Sequence, residues 1–159
     1  MSQVLSNQST GVRAFAALLR AHASSTRVLN QQLLADHGLT LSDYEVLLRL
    51  AWSEDRRMRR VDLAEEVLLT ASGITRLLDG LEKAGYVERG TCDSDRRVVY
   101  AVLTEPGLAK LREASASHVA QVEELFAERF DARELEVVGD LLSRLGGTDS
   151  RDCAPDADA

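Results

Sequence analysis

Residues 63–104 read LAEEVLLTASGITRLLDGLEKAGYVERGTCDSDRRVVYAVLT, and this stretch decides the fold. Its middle carries Ile74, Leu77, Leu78 and Leu81 at i, i+3, i+4 and i+7. That spacing predicts an amphipathic helix. Thr70 stands where an N-cap is wanted and Gly85 where the helix must close. Ser72, Thr75, Arg76 and Asp79 fall on the opposite, polar face. Upstream, Val61–Val67 predicts a short helix that turns Leu63, Ala64 and Val67 inward. Downstream, Tyr86–Arg89 and Arg97–Leu103 flank the polar turn GTCDSD and predict a hairpin with a charged tip. Two helices over about 61–84, joined by a tight turn and followed by such a hairpin, make a winged helix-turn-helix. The second helix can hide its apolar stripe and push its polar face into a major groove. The hairpin tip can then reach phosphates or the minor groove.

The flanks are helical. Residues 11–36 predict one long helix, with Phe15, Leu18, Leu19, Val28, Leu29 and Leu33 recurring at three and four residues before Gly38 ends it. Ser42 and Glu45 have the spacing of a capping box, with Leu41 and Val46 as its staple, for a helix to about Trp52. Residues 53–60, SEDRRMRR, read as a charged loop. Thr104 can cap a further helix to about 128, with Pro106 in its first turn. Asp131 and Glu134 form another capping box, opening a last helix that Gly146 and Gly147 stop. Four regions follow: an N-terminal dimerisation helix region at 1–41, a DNA-binding module at 42–104, C-terminal dimerisation helices at 105–146, and an acidic, disordered tail at 147–159. The fold class is mainly α with a small β-hairpin wing. The long helices are too large for the central module to cover, and a symmetric dimer is the simplest way to bury their apolar faces.

The chain has 159 residues, two prolines and ten glycines, which fits one helical domain with appendages. No window approaches a spanning helix, and MSQVLSNQST shows no secretory signal, so a cytoplasmic protein with no membrane partner is expected. The formal charge of -7 argues against a nucleic-acid binder when taken as a mean. Its distribution weakens that objection: residues 1–41 carry three Arg against one Asp, and the acidity is concentrated beyond residue 105. Arg56, Arg57, Arg59 and Arg60 form one local basic cluster and Arg96 with Arg97 another, and a DNA footprint depends on such patches. No histidine or cysteine cluster has zinc spacing, and no catalytic set or phosphate loop stands out, so neither a metal, a cofactor nor an enzyme activity is expected.

The stretch 63–104 resembles the MarR family of bacterial transcription regulators, and the likeness extends over 11–146. The carrying features are the helix-turn-helix, the Asp-x-Arg wing signature at Asp95, Arg96 and Arg97, and Leu103-Thr104 followed by Pro106-Gly107. The resemblance implies a homodimer on a pseudo-palindromic double-stranded DNA operator, usually as a repressor released by a small aromatic ligand or by thiol oxidation. It implies that Asp95 braces a wing arginine while Arg96 or Arg97 enters the minor groove.

DNA-binding candidates are therefore Thr70, Ser72, Thr75, Arg76, Asp79, Asp95, Arg96 and Arg97, with Arg76 suited to a guanine edge. The start of the helix at Thr70–Ser72 can also offer amides to a phosphate. The plain alternative is a solvated helix face and hairpin tip. Gly73 lacks a propensity reason for its place; close approach of a helix or of DNA is one explanation. The family's effector pocket makes His22, Tyr44, Arg49 and Trp52 the aromatic and polar candidates, against ordinary core and interface roles. Cys92 in the wing offers an oxidant-sensing alternative, although the family's oxidant sensors use a cysteine near the N-terminal helix and this chain has none there. A third reading is a protein-interaction scaffold whose winged module no longer reads DNA.

Overall fold

The computed structural model describes residues 9–67, 69–91 and 97–145. Six α-helices, a short 3-10 turn and three strands follow in the order α1 (Thr10–His37), α2 (Leu41–Trp52), the turn Glu54–Arg56, β1 (Arg57–Arg59), α3 (Arg60–Glu66), α4 (Ala71–Lys83), β2 (Val87–Thr91), β3 (Val99–Leu103), α5 (Glu105–Ala127) and α6 (Ala132–Ser143). The chain separates into two compact units, Met1–Val122 and Glu123–Ala159, with the division inside α5. Among the described residues no helix is long and apolar enough to cross a membrane.

The first unit is built on one core. Leu33 of α1, Val46, Leu47 and Leu50 of α2, and Leu63 of α3 are fully buried. Ile74, Leu78 and Leu81 of α4, Val87, Ala101 and Leu103 of the sheet, and Leu108 and Leu111 of α5 complete it. The apolar stripe read in α4 is therefore the face that packs, as its period requires.

Helix α2 starts two residues earlier than its sequence suggests. Thr40, not Ser42, is the cap: its hydroxyl accepts from the Asp43 amide at 3.0 Å, and the Asp43 carboxylate accepts from the Thr40 amide at 2.9 Å. Thr-x-x-Asp satisfies the same two orphan amides as the expected Ser42/Glu45 box. Leu39 and Tyr44 flank this cap and are both buried, so the earlier start places two apolar side chains in the core.

The loop expected at 53–60 contains a turn and a strand. Asp55 and Arg56 both take φ of 53°, and the chain then enters β1, which pairs antiparallel with β3 through Arg57↔Val102, Met58↔Ala101 and Arg59↔Tyr100. The sheet order is β1-β3-β2, so the wing is a hairpin with a third strand laid on it.

Helix α4 ends as read. Gly85 takes φ of 78°, its amide donates to the Glu82 carbonyl at 3.0 Å, and the Tyr86 amide donates to Leu81 at 3.0 Å. This pair of bonds is the Schellman arrangement, which needs the left-handed residue that glycine supplies. Thr104 fastens the next helix to this corner: its hydroxyl donates to the Gly85 carbonyl at 2.7 Å and accepts from the Gly107 amide at 3.1 Å. In the second unit, Asp131 and Glu134 make the expected reciprocal capping box at the start of α6. The stop at Gly146 and Gly147 and the tail lie outside the described residues.

Candidate nucleic-acid interface

Helices α3 and α4 meet through the turn that ends at Thr70. The Thr70 hydroxyl accepts from the Gly73 amide at 3.1 Å and lies 3.2 Å from the Ser72 hydroxyl. Gly73 has a local reason for its place. A Cβ there would lie 3.1 Å from the Thr70 hydroxyl oxygen, so a side chain would crowd the cap; among the described residues its nearest neighbours are Thr70 and Leu69, not a second helix. Ser72 and Arg76 are exposed, and Thr75 and Asp79 are half-buried. Arg76 makes no hydrogen bond or ion pair among the described residues.

Two arginines brace α4 from its flanks, and the sequence reading had given neither this role. Arg60, at the start of α3, donates to the Thr75 hydroxyl, which itself donates to the Ala71 carbonyl at 2.8 Å. Arg89, on β2, reaches α4 from the wing side. Its Nε donates to both Glu82 oxygens at 2.8 and 3.0 Å, and its terminal nitrogen donates to Asp79 at 2.8 Å. The Glu82 hydrogen bond and charge, then those of Asp79, raise the Arg89 pKa above its usual value. Asp79, read as a groove-facing residue, is thus held by the wing strand. The signal was available in part: strand alternation puts Arg89 on the same face as buried Val87, and that face meets α4.

The remaining basic cluster is also engaged. Arg56 pairs with Glu105 at 2.6 Å, Arg59 with Asp62 at 2.7 Å, and Arg57 lies over the Tyr100 ring at 5.2 Å. The two hydrogen bonds and the charge of Asp62 raise the Arg59 pKa. Arg97 is exposed just before β3. Between α3, the start of α4 and Arg97–Val99 lies an open groove of about 630 Å³, with Arg59, Arg60 and Thr75 among its walls. Asp95, Arg96 and Cys92 lie outside the described residues.

The four effector candidates occupy separate surroundings. Tyr44 is a core residue whose hydroxyl meets Ser115 at 3.1 Å and whose ring lies 4.6 Å from that of His118. Arg49 faces Glu45 and Glu66, each at 3.8 Å. Trp52 is 43% exposed at the end of α2, and His22 is exposed on α1. His118, on the apolar stripe of α5, is buried, and burial lowers its pKa. Among the described residues no group of three or more His, Cys, Asp or Glu side chains could hold a metal ion.

Known proteins share this arrangement. A sequence model of the MarR family matches residues 37–98. The HTH-type transcriptional regulator MhqR of Bacillus subtilis is 28% identical over 135 residues, 85% of this chain and 90% of that protein. Among solved structures, AbsC, a MarR family transcriptional regulator from Streptomyces coelicolor, is 34% identical with a TM-score of 0.71, covering 87% of this chain and 94% of its own. Sco3205, a MarR family regulator from the same organism in complex with DNA, is 28% identical with a TM-score of 0.78, covering 87% and 88%. By sequence and by fold, the chain belongs to the MarR family of winged helix-turn-helix transcriptional regulators.

Proposed function

We propose that this regulator is a repressor that binds a pseudo-palindromic operator as a homodimer in the cytoplasm and is released by a small aromatic ligand. The observation that carries the DNA reading is α4 itself. It is capped, braced on both flanks, and leaves Ser72 and Arg76 exposed. Sco3205, similar over most of its length, was solved with DNA. A short helix with an exposed arginine next to an arginine-bearing hairpin suits one groove and its flanking phosphates. Thr70, Thr75 and Asp79 act in this reading as cap, braced hydroxyl and brace. Asp95, Arg96 and Arg97 form the wing contact.

The dimer is supported by apolar side chains left open on α1 and α6. Val12, Phe15 and Leu19 are each at least half exposed on the first, and Leu141 and Leu142 are open on the second. A two-fold dimer pairs two identical recognition helices with two half-sites. Ligand release is supported by buried His118, whose Nδ1 has no hydrogen-bond partner among the described residues. It lies against Tyr44, and an aromatic acid offers both the acceptor and the ring that such a site takes.

The test is selection of bound duplexes from sheared genomic DNA of the source organism, followed by gel shift across a salt series. Specific, salt-dependent binding of two chains per duplex is expected. Changing Arg96 and Arg97 together to Ala should weaken binding and flatten the salt slope. Recovery of no enriched duplex would favour a scaffold whose winged module does not read DNA.

A further inference from the structure

We infer that Arg89 is a positioning residue for operator recognition, tying the groove-facing helix α4 to the wing strand β2 while offsetting half the charge of the two carboxylates that α4 carries beside its contact face. The inference rests on the DNA-binding reading above and adds a residue that no contact with DNA requires.

The geometry is a fork. Asp79 and Glu82 stand at i and i+3, so they project from one side of α4. Arg89 comes from the neighbouring strand and satisfies both, with three bonds between 2.8 and 3.0 Å. A guanidinium held at two nitrogens fixes direction as well as distance, which a lysine ammonium does not. The angle between α4 and the wing decides whether both can enter their grooves at once. Arg89 joins them outside the apolar core.

Charge gives the second half of the argument. Without Arg89, the Asp79 carboxylate would stand unpaired one turn from Arg76 and that of Glu82 a further turn on, beside the DNA that α4 must approach. With it, that edge of the helix carries one net negative charge instead of two. As a stability device the same fork is weak, since the Arg89 and Asp79 side chains are 53% and 44% exposed and exposed ion pairs contribute little to folding. A large cost in stability is therefore not what the arrangement predicts; a cost in selectivity is.

Fluorescence anisotropy would measure Kd on two labelled duplexes: the one that the wild-type chain enriches from sheared genomic DNA, and a mixed-sequence duplex of equal length. If the wild type enriches no duplex, the DNA-binding reading itself fails. Given an enriched duplex, Arg89→Ala should lower the ratio of the two affinities by about tenfold or more, the scale of one misplaced base contact. The salt slope on the mixed duplex and the helical circular dichroism should stay unchanged. Arg89→Lys, which keeps the charge and loses the fork, should recover only part of the ratio. Should Arg89→Ala fail to fold, Glu82→Gln removes charge from the fork and leaves Arg89 and Asp79 in place. It should cut the ratio about threefold, a smaller share of the same contact scale. The inference is overturned if the ratio stays within about twofold of wild type for the folded Arg89→Ala, or for Glu82→Gln where the former does not fold. It is also overturned if Arg89→Ala weakens both duplexes equally with a salt slope smaller by about one, because that marks a direct phosphate contact.

Discussion

Gly107 passes so close beneath the Tyr86 carbonyl that a Cβ at its position would lie 2.0 Å from that oxygen and 2.9 Å from a Leu103 methyl. The carbonyl is not free to move. It accepts from the Thr104 amide at 3.1 Å, while the Thr104 hydroxyl holds Gly85. The first turn of α5 is therefore set directly on the corner where α4 turns into β2.

Gly107→Ala should cost about 3 kcal/mol, at the upper end of overpacking penalties, because backbone and not a flexible side chain must give way. Urea unfolding reads this directly. A loss below about 1 kcal/mol would mean that the α5 start relaxes easily and that the corner is not rigid.

The cap of α4 makes a coupled prediction. Thr70→Ala removes the hydroxyl that satisfies the Gly73 amide and should cost about 1 kcal/mol. Gly73→Ala alone gains helix propensity but presses on that hydroxyl, so its effect should be close to neutral. In the Thr70→Ala background the crowding is gone, and Gly73→Ala should then stabilise by roughly 0.8 kcal/mol. A double-mutant cycle showing strict additivity would contradict the contact.

Asp55 and Arg56 are consecutive non-glycine residues at positive φ. A left-handed residue with a Cβ costs roughly 1–2 kcal/mol. Asp55→Gly should therefore raise stability by about 1 kcal/mol, since the 3.8 Å pair it gives up with Arg57 is exposed. Thermal melting at fixed pH checks it, and an unchanged or lower Tm would argue that this corner carries no strain.

That corner also marks where the sequence stopped being legible. The helices, the hairpin and the α4 stripe follow from periodicity, and Thr70, Gly85, Thr104 and Asp131 sit where their chemistry predicted. Residues 53–60 hold no glycine, proline or asparagine; Asp55 tolerates the left-handed region, but nothing local announces a second such residue at Arg56 or the three-residue strand after it. β1 exists because β3 is there to pair with it, which is a tertiary cause. The α2 cap was displaced for a related reason: two overlapping Thr/Ser-x-x-acid patterns compete, and burial of Leu39 and Tyr44 chooses between them. In the site, the polar face of α4 was readable, but the partners of Asp79 and Thr75 were not, because Arg89 and Arg60 come from other elements.

His118 supplies a pH dependence. Burial against α2 lowers its pKa below the ordinary histidine value of about 6.5, so the folded protein prefers the neutral ring. The unfolded chain then binds more protons in the window between the folded value and 6.5, and stability rises with pH across it. The contribution is present above pH 6.5 and is lost as pH falls through that window. Urea midpoints at pH 7.5 and 5.5 should differ more for wild type than for His118→Gln. Equal pH slopes for the two would show that His118 does not titrate with folding.

Phe15 is 61% exposed and Leu19 52% exposed on one stretch of α1, and the dimer reading requires that a second chain cover them. A charge placed in a closely packed apolar interface must lose its hydration without a partner, at a cost of several kcal/mol. Phe15→Asp should therefore shift the protein toward monomer in sedimentation or light scattering while leaving helical circular dichroism unchanged. Monomeric chains bring one recognition helix to a two-half-site operator, so affinity for the selected duplex should fall by at least about a hundredfold, within the range lost when two linked contacts become one. A Phe15→Asp chain that remains dimeric would place the interface elsewhere and leave the apolar face of α1 to a different partner.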